Sequence, residues 1–102
     1  MARFAQHAVI RARAGEGERL LAKFLEVTEM QRDNPACELM LVSTSPDMDD
    51  AVLLTEVWTS AEEYERTRNS EQVQQWATEM PSLVAGEPEV TRLVVEGGIG
   101  VS

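Results

Sequence analysis

Residues 3–13 alternate in character. Phe4, Ala8, Ile10 and Ala12 share one parity with Gln6, while Ala5, His7, Val9, Arg11 and Arg13 share the other. A period of two predicts a strand with a mixed second face. Gly15-Glu16-Gly17 breaks the pattern, and the acidic residues that follow suit the positive end of a helix dipole. From Glu18 to Arg32 the residues Leu20, Leu21, Phe24, Leu25 and Val27 recur at helical steps and predict one apolar face. Asp33-Asn34-Pro35 stops that helix, because proline disfavours a helical residue before it. Leu39 to Ser45 reads as a second strand with Cys37 at its entrance, and Ala51 to Thr59 as a third. The short polar turn Ser45–Asp50 between them predicts an antiparallel hairpin. Thr59 or Ser60 caps the next helix, with Glu62 and Glu63 in its first turn and Ala61 and Tyr64 facing inward. A break is expected near Asn69-Ser70. Val73, Trp76, Ala77, Met80 and Val84 then form an amphipathic stretch, kinked at Met80-Pro81 and closed by Gly86-Glu87-Pro88. Val90 to Glu96 reads as a fourth strand.

The order is β-α-β-β-α-β, an α+β class with a ferredoxin-like arrangement: an antiparallel sheet with two helices on one face. Residues 1–96 form one domain on this reading, and 97–102 a flexible tail. The second sheet face is expected to carry aromatic, aliphatic and polar residues together, too apolar for water. A second copy of the chain is the simplest cover, so a homodimer is expected.

Composition narrows the function classes. Of 102 residues, 43% are hydrophobic and 26% charged, close to the globular average. Lys and Arg number 9 against 18 Asp and Glu, a net charge of −9. That balance lacks the basic footprint of a nucleic-acid binder and suits anionic membrane surfaces poorly. The single cysteine, Cys37, excludes an intramolecular disulfide, and nothing near it in sequence lowers its pKa. The first residues hold no long apolar segment, and no run approaches the length of a membrane span. Neither signal peptide nor membrane helix is expected, and the cytoplasm is the expected setting.

Three stretches carry a family resemblance: Ala14-Gly15 through the first helix, Asn34-Pro35-Ala36-Cys37-Glu38-Leu39, and Leu54-Thr55-Glu56-Val57-Trp58-Thr59-Ser60-Ala61-Glu62-Glu63-Tyr64. Over roughly residues 4 to 96 the chain resembles the antibiotic biosynthesis monooxygenase family, most specifically in Glu56-x-Trp58-x-Ser60. The resemblance implies a dimeric α+β barrel whose two sheets face each other and enclose small pockets. It also implies cofactor-free oxygenation of quinols or of polycyclic aromatic polyketide intermediates. The chain departs from the pattern in places. Ala36 stands where many members carry glycine, and Thr67 near the position of a second-helix histidine. The asparagine, tryptophan and histidine of haem-degrading relatives fall near Ala8, Thr67 and Ala77, none of which matches, so no haem role is assigned.

His7 is the only side chain whose ordinary pKa lies near neutrality, and it could take a proton from a phenolic substrate. Deprotonating a hydroquinone or anthrone makes an electron-rich anion able to pass an electron to dioxygen. A partly exposed histidine bonded to a neighbour is the plainer reading. Arg11 shares the His7 side of the strand and could meet a substrate oxyanion, although a structural pair with Glu56 is favoured. Trp58 could stack on a planar substrate or anchor the dimer core, the second being favoured. Tyr64, Trp76 and Met80 are further substrate-binding candidates, on apolar stripes that more often belong to a core. Asp47, Asp49 and Asp50 lack the glycine and distal glutamate of a calcium loop, and Gly15-Glu16-Gly17 lacks the third glycine of a dinucleotide loop. No metal or cofactor is expected.

The expected function is a small cofactor-independent monooxygenase that oxidises an electron-rich aromatic substrate with dioxygen. Two alternatives stand beside it. One is a non-catalytic protein that binds a small hydrophobic ligand or modulates a partner. The other is an isomerase or cyclase on the same scaffold.

Overall fold

The computed structural model describes residues 2–100. Strand β1 (Phe4–Arg11) leads into helix α1 (Gly17–Met30), followed by the hairpin of β2 (Cys37–Ser43) and β3 (Ala51–Trp58). Helices α2 (Ala61–Arg68), α3 (Glu71–Ala77) and α4 (Met80–Leu83) precede β4 (Glu89–Leu93). The four strands form one sheet in the order β2-β3-β1-β4, antiparallel throughout. This is the ferredoxin-like arrangement expected from the pattern. Of the expected tail, residues 101–102 lie outside the described residues, as does Met1.

The sheet has two distinct faces, because successive residues of a strand point to opposite sides. On the helix-covered face Ala8, Ile10, Val52 and Leu54 meet Leu20, Phe24 and Val27 of α1 and Leu83 of α4. The α1 stripe runs 20, 24, 27, and Leu25 falls outside it at 50% exposure, a correction to the five-residue face read from sequence. On the open face three rows cross the sheet: Leu39–Val57–Ala5–Leu93, Leu41–Thr55–His7–Thr91 and Ser43–Leu53–Val9–Glu89. Leu39, Leu41 and Leu93 are exposed there.

A bulge at the start of β2 sets which residues reach which face. Cys37 pairs with Trp58 but Leu39 pairs with Val57, so the register slips at Glu38. Two residues then oppose one, and Cys37 and Leu39 end on different faces despite their shared parity. Glu38 is released toward Arg3, whose guanidinium reaches it at 2.8 and 3.3 Å.

Ser60 accepts the backbone N–H of Glu63 at 3.2 Å and is the N-cap of α2, with Glu62 and Glu63 in the first turn. Ala61 is exposed, not inward, and α2 buries no residue. The single amphipathic stretch from Val73 to Val84 is divided between α3 and α4. Pro81 has no N–H to continue the ladder of hydrogen bonds back into α3. Strand β4 is shorter than the sequence suggests. Leu93 already lies opposite Ala5, and β1 begins at Phe4, so Val94 and Val95 have little strand to pair with.

The hairpin turn is locked against α1. Asp50 has φ +48, its carbonyl accepts Ala12 N–H at 2.7 Å, and its carboxylate accepts Gly15 N–H at 3.4 Å. Asp47, Asp49 and Asp50 form no metal cluster, and no group of three or more potential metal ligands occurs among the described residues. No helix among them is long and apolar enough to cross a membrane.

Candidate functional site

One row on the helix-covered face reads Met40–Glu56–Gln6–Arg92 from edge to edge. It is polar at three of four positions on an otherwise apolar surface. Beside it, Phe4 and Trp58 pair across β1 and β3, and Tyr64 reaches in from α2.

Glu56 is only 4% exposed. Its Oε2 accepts from Gln6 Nε2 at 2.7 Å and its Oε1 from Trp58 Nε1 at 2.8 Å. A buried carboxylate costs several kcal/mol, on the order of 5, unless it is bonded or paired. Two short bonds to an ionised acceptor are the strong kind and offset that cost. Glu56 joins none of the ion pairs among the described residues. Gln6 Nε2 also donates to the Tyr64 hydroxyl oxygen at 3.2 Å. The chain of contacts therefore runs Trp58–Glu56–Gln6–Tyr64.

The aromatic rings close over this network. Tyr64 stacks on Phe4 with centroids 4.3 Å apart and planes 15° apart, and meets Trp58 edge-on at 5.8 Å. Arg92 Cζ lies 4.3 Å from the Phe4 centroid. Partial burial raises the Tyr64 pKa above the ordinary phenol value; the Gln6 bond acts the other way, and the Glu56 charge adds to the rise. Tyr64 thus keeps its proton through the neutral range. Because Gln6 is the donor in their contact, the hydroxyl hydrogen remains available for another acceptor. Burial, reinforced by the Glu56 charge, pushes the Cys37 thiol up to about 11.

The six residues singled out from sequence fall in three places. Trp58 and Tyr64 share the network just described. Trp76 donates Nε1–H to the Lys23 carbonyl at 2.7 Å and packs edge-on against Phe24 at 5.3 Å, and both Trp76 and Met80 lie against the main core. His7 and Arg11 stand on the open face, across the sheet from all four. The His7 Nδ1 lies 2.9 Å from Thr55 Oγ1. Arg11 pairs with Glu89 at 3.4 Å, not with Glu56, which points to the other face. Both partners of that pair are more than half exposed, so it contributes little.

None of the six lines either of two surface clefts found among the described residues. One of about 300 Å³ lies beside Cys37, Leu39 and Met40. The other, of about 530 Å³, lies at the sheet end beside Thr59 and Arg92. Sequence reading missed Phe4, Gln6 and Arg92 and misassigned Glu56. The signal was present: Gln6 and Glu56 are polar residues on the apolar parity of their strands, which on a covered face calls for a buried partner.

Comparison with known proteins places the fold in a family. A model of the antibiotic biosynthesis monooxygenase family matches residues 3–79. The chain is similar in structure to the protein PA3566 from Pseudomonas aeruginosa, with TM-score 0.84 and 16% identity, covering 95% of this chain and 97% of that one. A candidate antibiotic biosynthesis monooxygenase from Chloroflexus aurantiacus J-10-fl has TM-score 0.76 at 27% identity, covering 96% and 99%. Another from Deinococcus radiodurans has TM-score 0.79 at 20% identity, covering 97% and 98%. Among curated proteins, none matches this chain in sequence.

Proposed function

Because the chain belongs to the antibiotic biosynthesis monooxygenase family, we propose that it oxidises an electron-rich aromatic, a quinol, anthrone or polyketide-type ring system, with dioxygen and without a cofactor. The observation that carries this reading is the Tyr64 hydroxyl, held by Gln6 on a buried carboxylate with its own hydrogen uncommitted. A substrate phenol or ketone oxygen at Tyr64 would gain a hydrogen bond as it takes on enolate charge. The substrate ring would lie against the accessible side of Tyr64, with the buried Trp58 supporting the Tyr64 ring from behind. For an anthrone the balance closes on the substrate and dioxygen. The methylene becomes a carbonyl with one oxygen atom, and its two hydrogens leave as water with the other. The substrate supplies all the electrons, so the reaction asks no reductant of the protein.

The same reading makes the protein a homodimer. A second copy covers the open face, where Leu39, Leu41 and Leu93 are exposed at 39%, 52% and 38%. The free thiol of Cys37 fits a reducing, cytoplasmic setting.

A second reading centres on His7. Its Nδ1 is engaged by Thr55, while Nε2 has no partner among the described residues. It could act as base toward a substrate held between two copies.

The test is dioxygen uptake by metal-free protein across a panel of anthrones and hydroquinones, repeated with labelled dioxygen. We expect uptake and one labelled oxygen atom per product molecule. No uptake across the panel, from well-folded protein, overturns the proposal. A product without labelled oxygen, formed without dioxygen uptake, points instead to an isomerase or cyclase.

A further inference from the structure

Eight of the nine cationic side chains have an oxygen partner. Seven sit in ion pairs, and Arg13 is spent on the Pro81 carbonyl at 3.0 Å. Among the described residues Arg92 is the one left over. In a chain with 18 carboxylates and a net charge of −9, a guanidinium without a carboxylate partner calls for an explanation.

Its setting supplies one. Arg92 is placed over the Phe4 ring, its Cζ 4.3 Å from the ring centroid, a cation–π contact. The N–H donors lie in the guanidinium plane and stay free for two parallel bonds to an oxyanion. Arg92 also lines the cleft of about 530 Å³ at the sheet end, together with Thr59, Leu93, Val94 and Val95. That volume lies within the usual range for small-molecule sites. Val94 is 82% exposed, apolar surface that an apolar ligand body would cover. The carboxylate on this cleft, Glu38, is already held by Arg3 at 2.8 Å and does not reach Arg92 as a partner.

We propose that this cleft binds an amphipathic oxyanion, one carboxylate or phenolate on an apolar body, with Arg92 on the oxyanion and Val94 and Val95 against the body. Thr59 offers a hydroxyl beside them. The cleft adjoins the Tyr64 network, since Arg92 lies on Phe4 and Phe4 stacks on Tyr64, but the proposal needs only binding and is read by binding, so its failure is distinguishable from that of the oxygenase reading.

Titration calorimetry with 2-naphthoate and its neutral counterpart 2-naphthalenemethanol tests it, using wild type, Arg92→Gln and Arg92→Lys. We expect 2-naphthoate to bind and to weaken at least about tenfold in Arg92→Gln, with a smaller loss in Arg92→Lys. Binding of the alcohol should not respond to either change. Amide resonances of Thr59 and Leu93–Val95 should shift with 2-naphthoate. Circular dichroism identical to wild type assigns the loss to the charge, and the lysine variant reports on charge with little change of bulk. No saturable 2-naphthoate binding, equal affinity in wild type and Arg92→Gln, or shifts confined to the His7 row would each overturn the proposal.

Discussion

Trp58 Nε1 donates to Glu56 Oε1 at 2.8 Å, so two residues of one strand, two positions apart, close on each other above the sheet. The bond explains the spacing Glu56-x-Trp58-x-Ser60 in physical terms. Residues two apart share a face, the indole N–H needs an acceptor when buried, and the carboxylate needs donors. Ser60 then caps α2 and brings Tyr64 over the pair. The motif is first of all a folding device that positions an aromatic hydroxyl.

Removing the acceptor should therefore cost stability out of proportion to size. Glu56→Ala leaves the Trp58 N–H and the Gln6 amide without their partner. We expect a loss of about 1–3 kcal/mol, read from the midpoint of urea unfolding at unchanged slope. A loss below about 0.5 kcal/mol would mean that water replaces the carboxylate freely.

The turn against α1 predicts a coupled pair of variants. A Cβ on Gly17 would stand 2.5 Å from Asp50 Oδ1 and 3.1 Å from its Cα, and a backbone atom cannot swing away. Gly17→Ala should destabilise by about 1–3 kcal/mol. Asp50→Gly removes the side chain and relieves the positive φ of +48, so it should recover part of that loss in the double variant. Strict additivity of the two changes in thermal unfolding would count against this packing.

Cys37 should be a sluggish nucleophile. With its pKa pushed from 9.0 to about 11, it holds roughly a hundredth of the thiolate of a free thiol near pH 8. Alkylation by iodoacetamide in native buffer should be slower than in urea by about that factor. The folded state holds its proton longer than the unfolded state, so folding stability should fall as pH rises from about 9 to about 11. Below that window the thiol contributes no pH dependence. Equal alkylation rates in the two states would refute the shift.

These variants bear on residues of unequal legibility. The stripe Leu20, Phe24, Val27 and the Ser60 cap follow from spacing and local chemistry, so the existence of α1 and the start of α2 are readable from the chain alone. The shared parity of Glu56 and Trp58 was equally visible. What spacing does not carry is pairing between distant segments. The bulge at Glu38 moves Cys37 to the face opposite Leu39, against strict alternation. Arg11 meets Glu89, distant in sequence, because β4 lies beside β1. Glu56 was the tempting partner only while its face was unassigned. The division of one amphipathic stretch into α3 and α4 depends on Pro81, whose effect on a helix end ranges from kink to break.

Assembly is expected on the opposite face. Leu41 lies in the middle row with Thr55, His7 and Thr91, and is 52% exposed. Light scattering of the wild type at micromolar concentration should return twice the 11.3 kDa chain mass. Leu41→Lys should return the single-chain mass with an unchanged circular dichroism spectrum. A wild-type monomer would refute a dimer built on this face.

The central claim is that chemistry belongs to the helix-covered face and His7 to the face used for assembly. The initial rate of dioxygen consumption by Tyr64→Phe and His7→Ala, measured on the best substrate of the panel, tests it most directly. The account predicts that Tyr64→Phe lowers kcat/KM by about a hundredfold, while His7→Ala stays within about twofold of wild type. A His7→Ala variant that loses turnover as a folded dimer, beside a Tyr64→Phe variant that keeps it, would contradict the account.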